Sequence, residues 1–145
     1  MTWVPGPANI GTPVEVVTTA AVTPASATPS SSGLSVAMAS GGTYSFEAYL
    51  YPTNTSTFTV SLNSGTVTAT SITGAIETLK GSSIADTIIT SLSTTAGVAA
   101  ATVGFRITGT IVVNAGGTFQ PGVATAPASP DSLNAGSWMR VTRIN

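Results

Sequence analysis

The five carboxylates are the side chains whose chemistry could be catalytic, and they occur singly along the chain. They are Glu15, Glu47, Glu77, Asp86 and Asp131. Glu77 and Asp86 could approach each other across a hairpin, as the paired acids of a glycosidase do. Any two acids of a small β domain could be placed in this way, so we interpret all five as solvated surface acids.

Cysteine and histidine are both absent, which removes most catalytic and metal-binding chemistry. No disulfide framework, thiolate nucleophile or cysteine-based zinc site can form, and the commonest general base and metal ligand is missing. Lys80 is the only lysine that could activate a serine, but Glu77 occupies the position at which a Ser-x-x-Lys motif needs the serine. We therefore expect no enzyme activity, no cofactor and no metal.

The basic residues are too few for a nucleic-acid interface. Lys80, Arg106, Arg140 and Arg143 oppose five acids, whereas affinity for nucleic acid grows with the number of phosphates neutralised. Residues 97–105 form the most apolar run, which is far shorter than the ~20 residues of a membrane-spanning helix. Residues 1–11 lack the basic and apolar regions of a secretory signal. We expect neither a nucleic-acid nor a membrane partner.

The composition predicts a folded domain with a surface poor in charge. The 145 residues include 26 threonines and 18 serines but only nine charged residues, and 42% of the chain is hydrophobic. This hydrophobicity with a net charge of -1 is not typical of disorder. A nearly neutral surface favours association, so we expect much of it to lie against partner chains.

Residues 1–33 are predicted to form an extended arm that precedes the domain. Five of the nine prolines lie in the first 29 residues, among threonine, alanine and serine, and proline opposes helix formation. Val14 and Val16 belong to a short run that could form an edge strand. The arm is either a flexible tail or a segment that orders against a neighbouring subunit, with Trp3 and Val4 as anchors.

Residues 34–145 show β-strand patterns throughout. Tyr44, Phe46, Ala48 and Leu50 alternate with polar residues and with Tyr49, which predicts one core face and one outward face. Turn residues 63–65 predict a hairpin, and turn residues 114–117 predict a second hairpin or a bulged turn. Residues 76–93 also fit helical spacing, although their isoleucines and threonines favour strand. The fold class expected is all-β, a jelly-roll-like antiparallel β-sandwich.

Three stretches, residues 42–48, 106–121 and 133–144, carry a resemblance to a known family. They read GTYSFEA, RITGTIVVNAGGTFQP and LNAGSWMRVTRI. This arrangement resembles the jelly-roll domains, similar to the tumour-necrosis-factor and complement-C1q type, of virion structural proteins of tailed bacteriophages. The resemblance covers residues 34–145 and leaves the arm unmatched.

The resemblance implies a homotrimer whose subunits pack through aromatic faces. Tyr49, Tyr51, Phe119 and Trp138 are the expected interface residues, because aromatic side chains bury much area at small entropic cost. Trp138 could equally be an ordinary core aromatic. The family implies no catalytic residues.

The function expected is that of a capsid decoration or cement protein. It would bind the phage major capsid protein on the capsid's outer surface as a trimer, after assembly in the host bacterial cytoplasm. Trp3, Val4, Val14 and Val16 would then be capsid-binding residues of the arm, adding strand pairing to neighbouring subunits. The alternative is a receptor-binding module at a tail-fibre or tail tip, although the chain has no coiled-coil heptads or repeats.

Overall fold

The computed structural model describes residues 10–98, 104–126 and 129–145, and these contain fourteen β-strands and no helix. The strands are β1 (Pro13–Val17), β2 (Ser30–Ser31), β3 (Val36–Met38), β4 (Thr43–Leu50), β5 (Pro52–Thr53), β6 (Phe58–Ser61), β7 (Ala69–Lys80), β8 (Ser83–Ile88), β9 (Thr95–Val98), β10 (Gly104–Val113), β11 (Gly117–Phe119), β12 (Gly122–Thr125), β13 (Ser132–Leu133) and β14 (Trp138–Arg143).

Two larger sheets form a jelly-roll sandwich in which every strand pair is antiparallel. One sheet has the order β1-β14-β4-β10-β7-β8 and the other has the order β2-β12-β6-β9. Successive strands alternate between the sheets, as in jelly rolls, except that β7 and β8 extend the larger sheet by a hairpin. Two short pairs, β3 with β11 and β5 with β13, complete the fold. The predicted all-β jelly-roll sandwich is confirmed.

The core lies between the sheets and contains the alternating residues of the long strands. Tyr44, Phe46, Ala48 and Leu50 of β4 are all buried, as their alternation predicted. Phe58 of the smaller sheet lies 6.2 Å from Phe105 of the larger one, measured between ring centroids. Such aromatic contacts between the two sheets bury large apolar side chains in the core.

The two predicted hairpins are wrong. The turn at residues 63–65 leads from β6 in the smaller sheet to β7 in the larger one, and the turn at residues 114–117 leads from β10 to β11, which pairs with β3. Both turns therefore connect strands of different sheets. The hairpin of this region is β7–β8 instead, and its strands confirm the strand interpretation of residues 76–88.

The described part of the arm is integrated into the sandwich. β1 pairs with β14 along its whole length, from Pro13 opposite Thr142 to Val17 opposite Trp138. β2 pairs with β12. Residues 10–33 are therefore continuous with the two sheets and do not extend away from them. Trp3 and Val4 lie outside the described residues.

Candidate interaction face

The outward side of the six-stranded sheet brings together most of the charge of the chain. One row of register partners crosses all six strands, and a second row lies beside it. The first row is Val17, Trp138, Tyr49, Arg106, Glu77 and Asp86, and the second is Glu15, Arg140, Glu47, Thr108, Ala75 and Ile88. These rows contain six of the nine charged residues. We call this surface the outer face.

Three aromatic side chains form a continuous shelf on the outer face. The Tyr49 ring lies 5.4 Å from the Trp138 ring and stacks at 6.0 Å on the Tyr51 ring, between centroids. Tyr49 and Trp138 are half-buried and Tyr51 is exposed. The structure therefore brings together three of the four predicted interface residues, in a position where a partner could contact them. We call these residues the aromatic shelf.

Two arginines border the aromatic shelf. The Arg106 guanidinium lies 5.9 Å from the centroid of the Tyr49 ring, and that of Arg140 lies 5.8 Å from the Trp138 ring. Cations over aromatic faces gain electrostatic energy, more so when water is excluded. Covering this surface with a partner would therefore strengthen contacts that already exist within the chain.

Arg106 is held between two glutamates of neighbouring strands. Its Nη2 atom donates to Glu47 Oε1 and its Nη1 atom donates to Glu77 Oε2, each at 3.3 Å. Hydrogen bonds with Glu47 and then with Glu77 raise the pKa of Arg106 above its ordinary value. Arg140 Nε donates to Glu15 Oε1 at 2.5 Å. Both arginines therefore form salt bridges within one chain.

Two depressions shape the outer face. One, of about 440 Å³, lies at the β1–β14 edge and is lined by Glu15, Val16, Val17, Trp138 and Arg140. The other, of about 480 Å³, lies at the middle of the sheet, where Gly74 and Gly109 are register partners. Hydroxyl groups of five serines and threonines line it: Ser45, Thr73, Thr108, Thr110 and Thr142.

Phe119 is not an interface residue. It is 1% exposed, and its ring lies 4.9 Å from the ring of Phe46 in the core. Its expected role in the trimer contacts is wrong, because the short strand β11 turns this side chain inward to fill the sandwich.

Val14 and Val16 are engaged with their own chain. Val14 is the register partner of Val141 and Val16 that of Met139, and both of these partners are buried. Val16 packs against the core cluster, while Val14 keeps partial exposure. That these two side chains anchor an arm on the capsid stays a prediction, and Val14 is the more exposed of the two. Among the described residues, no strand pairs with the other edge of β1, which is the first strand of the sheet order.

Asp131 was predicted to be a solvated surface acid, but it is buried. It is 1% exposed and receives hydrogen bonds from Thr55 N and Ser56 Oγ, both at 2.6 Å. Burial acts to raise its pKa, but hydrogen bonds from Ser56, Thr55 and Ser129 outweigh burial and lower the pKa well below its usual range. Asp131 thus joins two loops. Ser129 is close in sequence, but Thr55 and Ser56 are 76 and 75 residues distant, so the sequence could not signal their contacts with Asp131.

Glu77 and Asp86 are register partners on β7 and β8, so the hairpin approach predicted for them does occur. Glu77 is bound to Arg106 at 3.3 Å, whereas a glycosidase acid needs apolar surroundings that keep it protonated. Within residues 10–98, 104–126 and 129–145, no three acids form a group that could hold a metal ion. In the same ranges, no helix is long and apolar enough to cross a membrane.

Comparison with known proteins adds no relative. No family model matches the chain, and no curated protein and no solved structure matches it either.

Proposed function

We propose that this chain is a non-enzymatic virion structural protein, a capsid decoration protein that binds the outside of a tailed-phage capsid as a homotrimer and stabilises it. The jelly-roll sandwich is the fold that the resemblance of residues 34–145 implied. The resemblance and the fold together support this class of protein, and the surface of the sandwich supports the trimer.

The aromatic shelf is the observation on which the proposal depends. Tyr49, Tyr51 and Trp138 lie side by side on the outward surface of a sheet, in a chain of which only 6% is charged. Adjacent aromatic side chains with neighbouring arginines are typical of the residues that dominate binding energy at interfaces. In the trimer, this shelf is covered by a neighbouring subunit.

The stabilising action follows from mass action and from valency. A protein that binds the assembled shell, and not its dissociated subunits, shifts the equilibrium toward the shell. A trimer offers three linked contacts, so that weak single contacts give tight overall binding. The free edge of β1 supplies backbone donors and acceptors for pairing with a strand of the capsid protein. Residues 1–9, with Trp3 and Val4, provide further capsid contacts in this proposal.

The state of the acids supports a non-enzymatic role. Glu47 and Glu77 are bound to Arg106, Glu15 is bound to Arg140, and Asp131 accepts hydrogen bonds from two loops. General acid catalysis needs a carboxyl group that can release a proton near neutral pH. In this proposal these four acids are structural partners of arginine or of several hydrogen-bond donors.

Co-sedimentation with capsid shells that lack the protein tests the proposal. We expect saturable binding in multiples of three copies at each local symmetry site. Trp3→Ala should weaken binding, and Ala37→Asp, an exposed strand position outside the outer face, is the matched control. Absence of shell binding would contradict the capsid role. Binding to host cells instead would favour the receptor-binding alternative, in which the aromatic shelf stacks on sugar rings.

A further inference from the structure

β8 is an edge strand with an apolar exposed side. It ends the order of the six-stranded sheet, and β7 is its only pairing partner in the part of the chain that the structure describes. Ile84 and Ile88 are 64% and 67% exposed, and Asp86 lies between them on the same side. Within the described ranges Asp86 makes no salt bridge. Exposed apolar edges are normally protected from association by charge, proline or short length, so this strand requires a partner.

The opposite edge of the same sheet carries a complementary depression. Val17 is 57% exposed and, with Trp138, forms the apolar part of the depression of about 440 Å³ at the β1–β14 edge. Arg140 supplies its positive charge, and its side chain remains 49% exposed although it binds Glu15. The depression therefore offers an apolar surface beside a cation, whereas β8 offers apolar side chains beside an anion.

The spacing of the two edges matches. Same-face residues of a strand repeat every two positions, or about 6.7 Å. On β8, Asp86 has an isoleucine two positions away on each side. On β14, Trp138 lies two positions before Arg140, and Val17 is its register partner. When the Asp86 carboxylate contacts Arg140, one of the two isoleucines therefore reaches Val17 and Trp138, in either strand direction.

We propose that β8 of one copy docks in the β1–β14 depression of a second copy, with Asp86 on Arg140 and Ile84 or Ile88 on Val17 and Trp138. This inference rests on the homotrimer of the proposed function and names its contact. A second copy is the occupant because each chain carries both complementary edges, at opposite ends of one sheet. Such a heterologous contact, repeated around an axis, closes a ring. The contact also adjoins the aromatic shelf through Trp138.

A charge exchange tests this contact. We expect D86R and R140D each to raise the trimer dissociation constant at least about tenfold, because a close interfacial charge pair becomes a like-charge pair. The double variant D86R/R140D should restore assembly to near the wild-type constant. Sedimentation velocity over a dilution series measures the constants. Circular dichroism melting checks the fold, since R140D also removes the partner of Glu15.

A second variant avoids that internal salt bridge. I84S/I88S changes only exposed side chains of β8 and should weaken the trimer while leaving the melting of the monomer unchanged. Ile144→Ser is the control and should leave assembly intact, because this isoleucine is 50% exposed and lies outside the depression.

The outcomes separate this inference from the proposed function. Trimers that withstand D86R and I84S/I88S, and still bind shells, would overturn the docking alone. A folded double variant that fails to reassemble would also overturn it. A wild-type chain that stays monomeric and binds no shell would overturn the proposed function, and the docking with it.

Discussion

Tyr49 of β4 and Trp138 of β14 are register partners whose rings lie 5.4 Å apart on the outward side of the six-stranded sheet. Each ring also has an arginine beside its face, Arg106 and Arg140 respectively. The pair is the centre of a surface that combines aromatic area with fixed charges. A partner that covers it removes apolar area from water, worth roughly 25 cal/mol per Å².

Replacing Tyr49 with Asp should split the trimer. The added carboxylate would lie opposite Arg106, which Glu47 and Glu77 already bind, so a third acid would be buried beside one arginine. Burying a charge without a full partner costs several kcal/mol. We expect the monomer to predominate in sedimentation velocity, with the β-sheet circular dichroism spectrum retained. Ala37→Asp, at an exposed position of β3 outside the outer face, should remain trimeric. A trimeric Y49D variant would show that the interface lies elsewhere.

Asp131→Asn should destabilise the chain by about 1–3 kcal/mol at neutral pH, because buried donors lose a charged acceptor. The lowered pKa of Asp131 means that its contribution to stability is complete above the unfolded-state pKa near 4 and declines as pH falls below it. Chemical denaturation between pH 7 and pH 2 measures this.

The acid dependence provides the control for this prediction. Wild type and Ile144→Ser, which leaves every carboxylate in place, should lose stability alike on acidification. D131N should lose less, since it has already lost that contribution. Parallel acid curves for D131N and wild type would contradict the role assigned to the buried carboxylate.

Gly109→Ala should cost about 1–3 kcal/mol through crowding. A Cβ atom there would lie 2.3 Å from the Thr73 carbonyl oxygen and 2.6 Å from Phe46 Cζ, so the core ring must shift. Gly41→Ala is a control for backbone strain without crowding. An alanine at its φ of +72° is strained, but nothing lies within 4 Å of the added Cβ atom. Thermal melting measures the loss of stability in G109A. Near-ultraviolet circular dichroism reports the displacement of the Phe46 ring. An unchanged aromatic spectrum in G109A would contradict the packing described.

Phe119→Ala should lower the free energy of unfolding by about 3–5 kcal/mol, as expected when a buried aromatic side chain leaves a cavity. Tyr51→Ala removes an exposed ring and should cost the monomer far less. Urea denaturation at a concentration where both variants are monomeric compares them. Equal losses would mean that Phe119 does not fill the core.

The positions of the strands could be predicted from the sequence better than their pairing within the sheets. Alternation in residues 43–51 identified both faces of β4, because every second residue of a half-buried strand lies on the core side. The turns at residues 63–65 and 114–117 were correctly seen as turns. A turn, however, does not specify which sheet receives the next strand, and in this fold both turns change sheets.

The burial of individual residues could not be predicted from the sequence either. Asp131 is buried because donors from residues 55 and 56 reach it, and Phe119 because β11 pairs with β3. Both depend on contacts between distant parts of the chain. The aromatic shelf was predictable in part, since Tyr49 and Tyr51 share a strand face, whereas the approach of Trp138 depended on the pairing of β14 with β4.

Heat-induced rupture of capsid shells tests the central claim most directly. Shells that lack the protein are saturated with it and heated beside bare shells, and the release of their contents is followed. We expect saturated shells to rupture at a clearly higher temperature and Y49D, as a monomer, to give little protection. Equal rupture temperatures for bare and saturated shells would contradict the role of the protein as a stabilising decoration of the capsid.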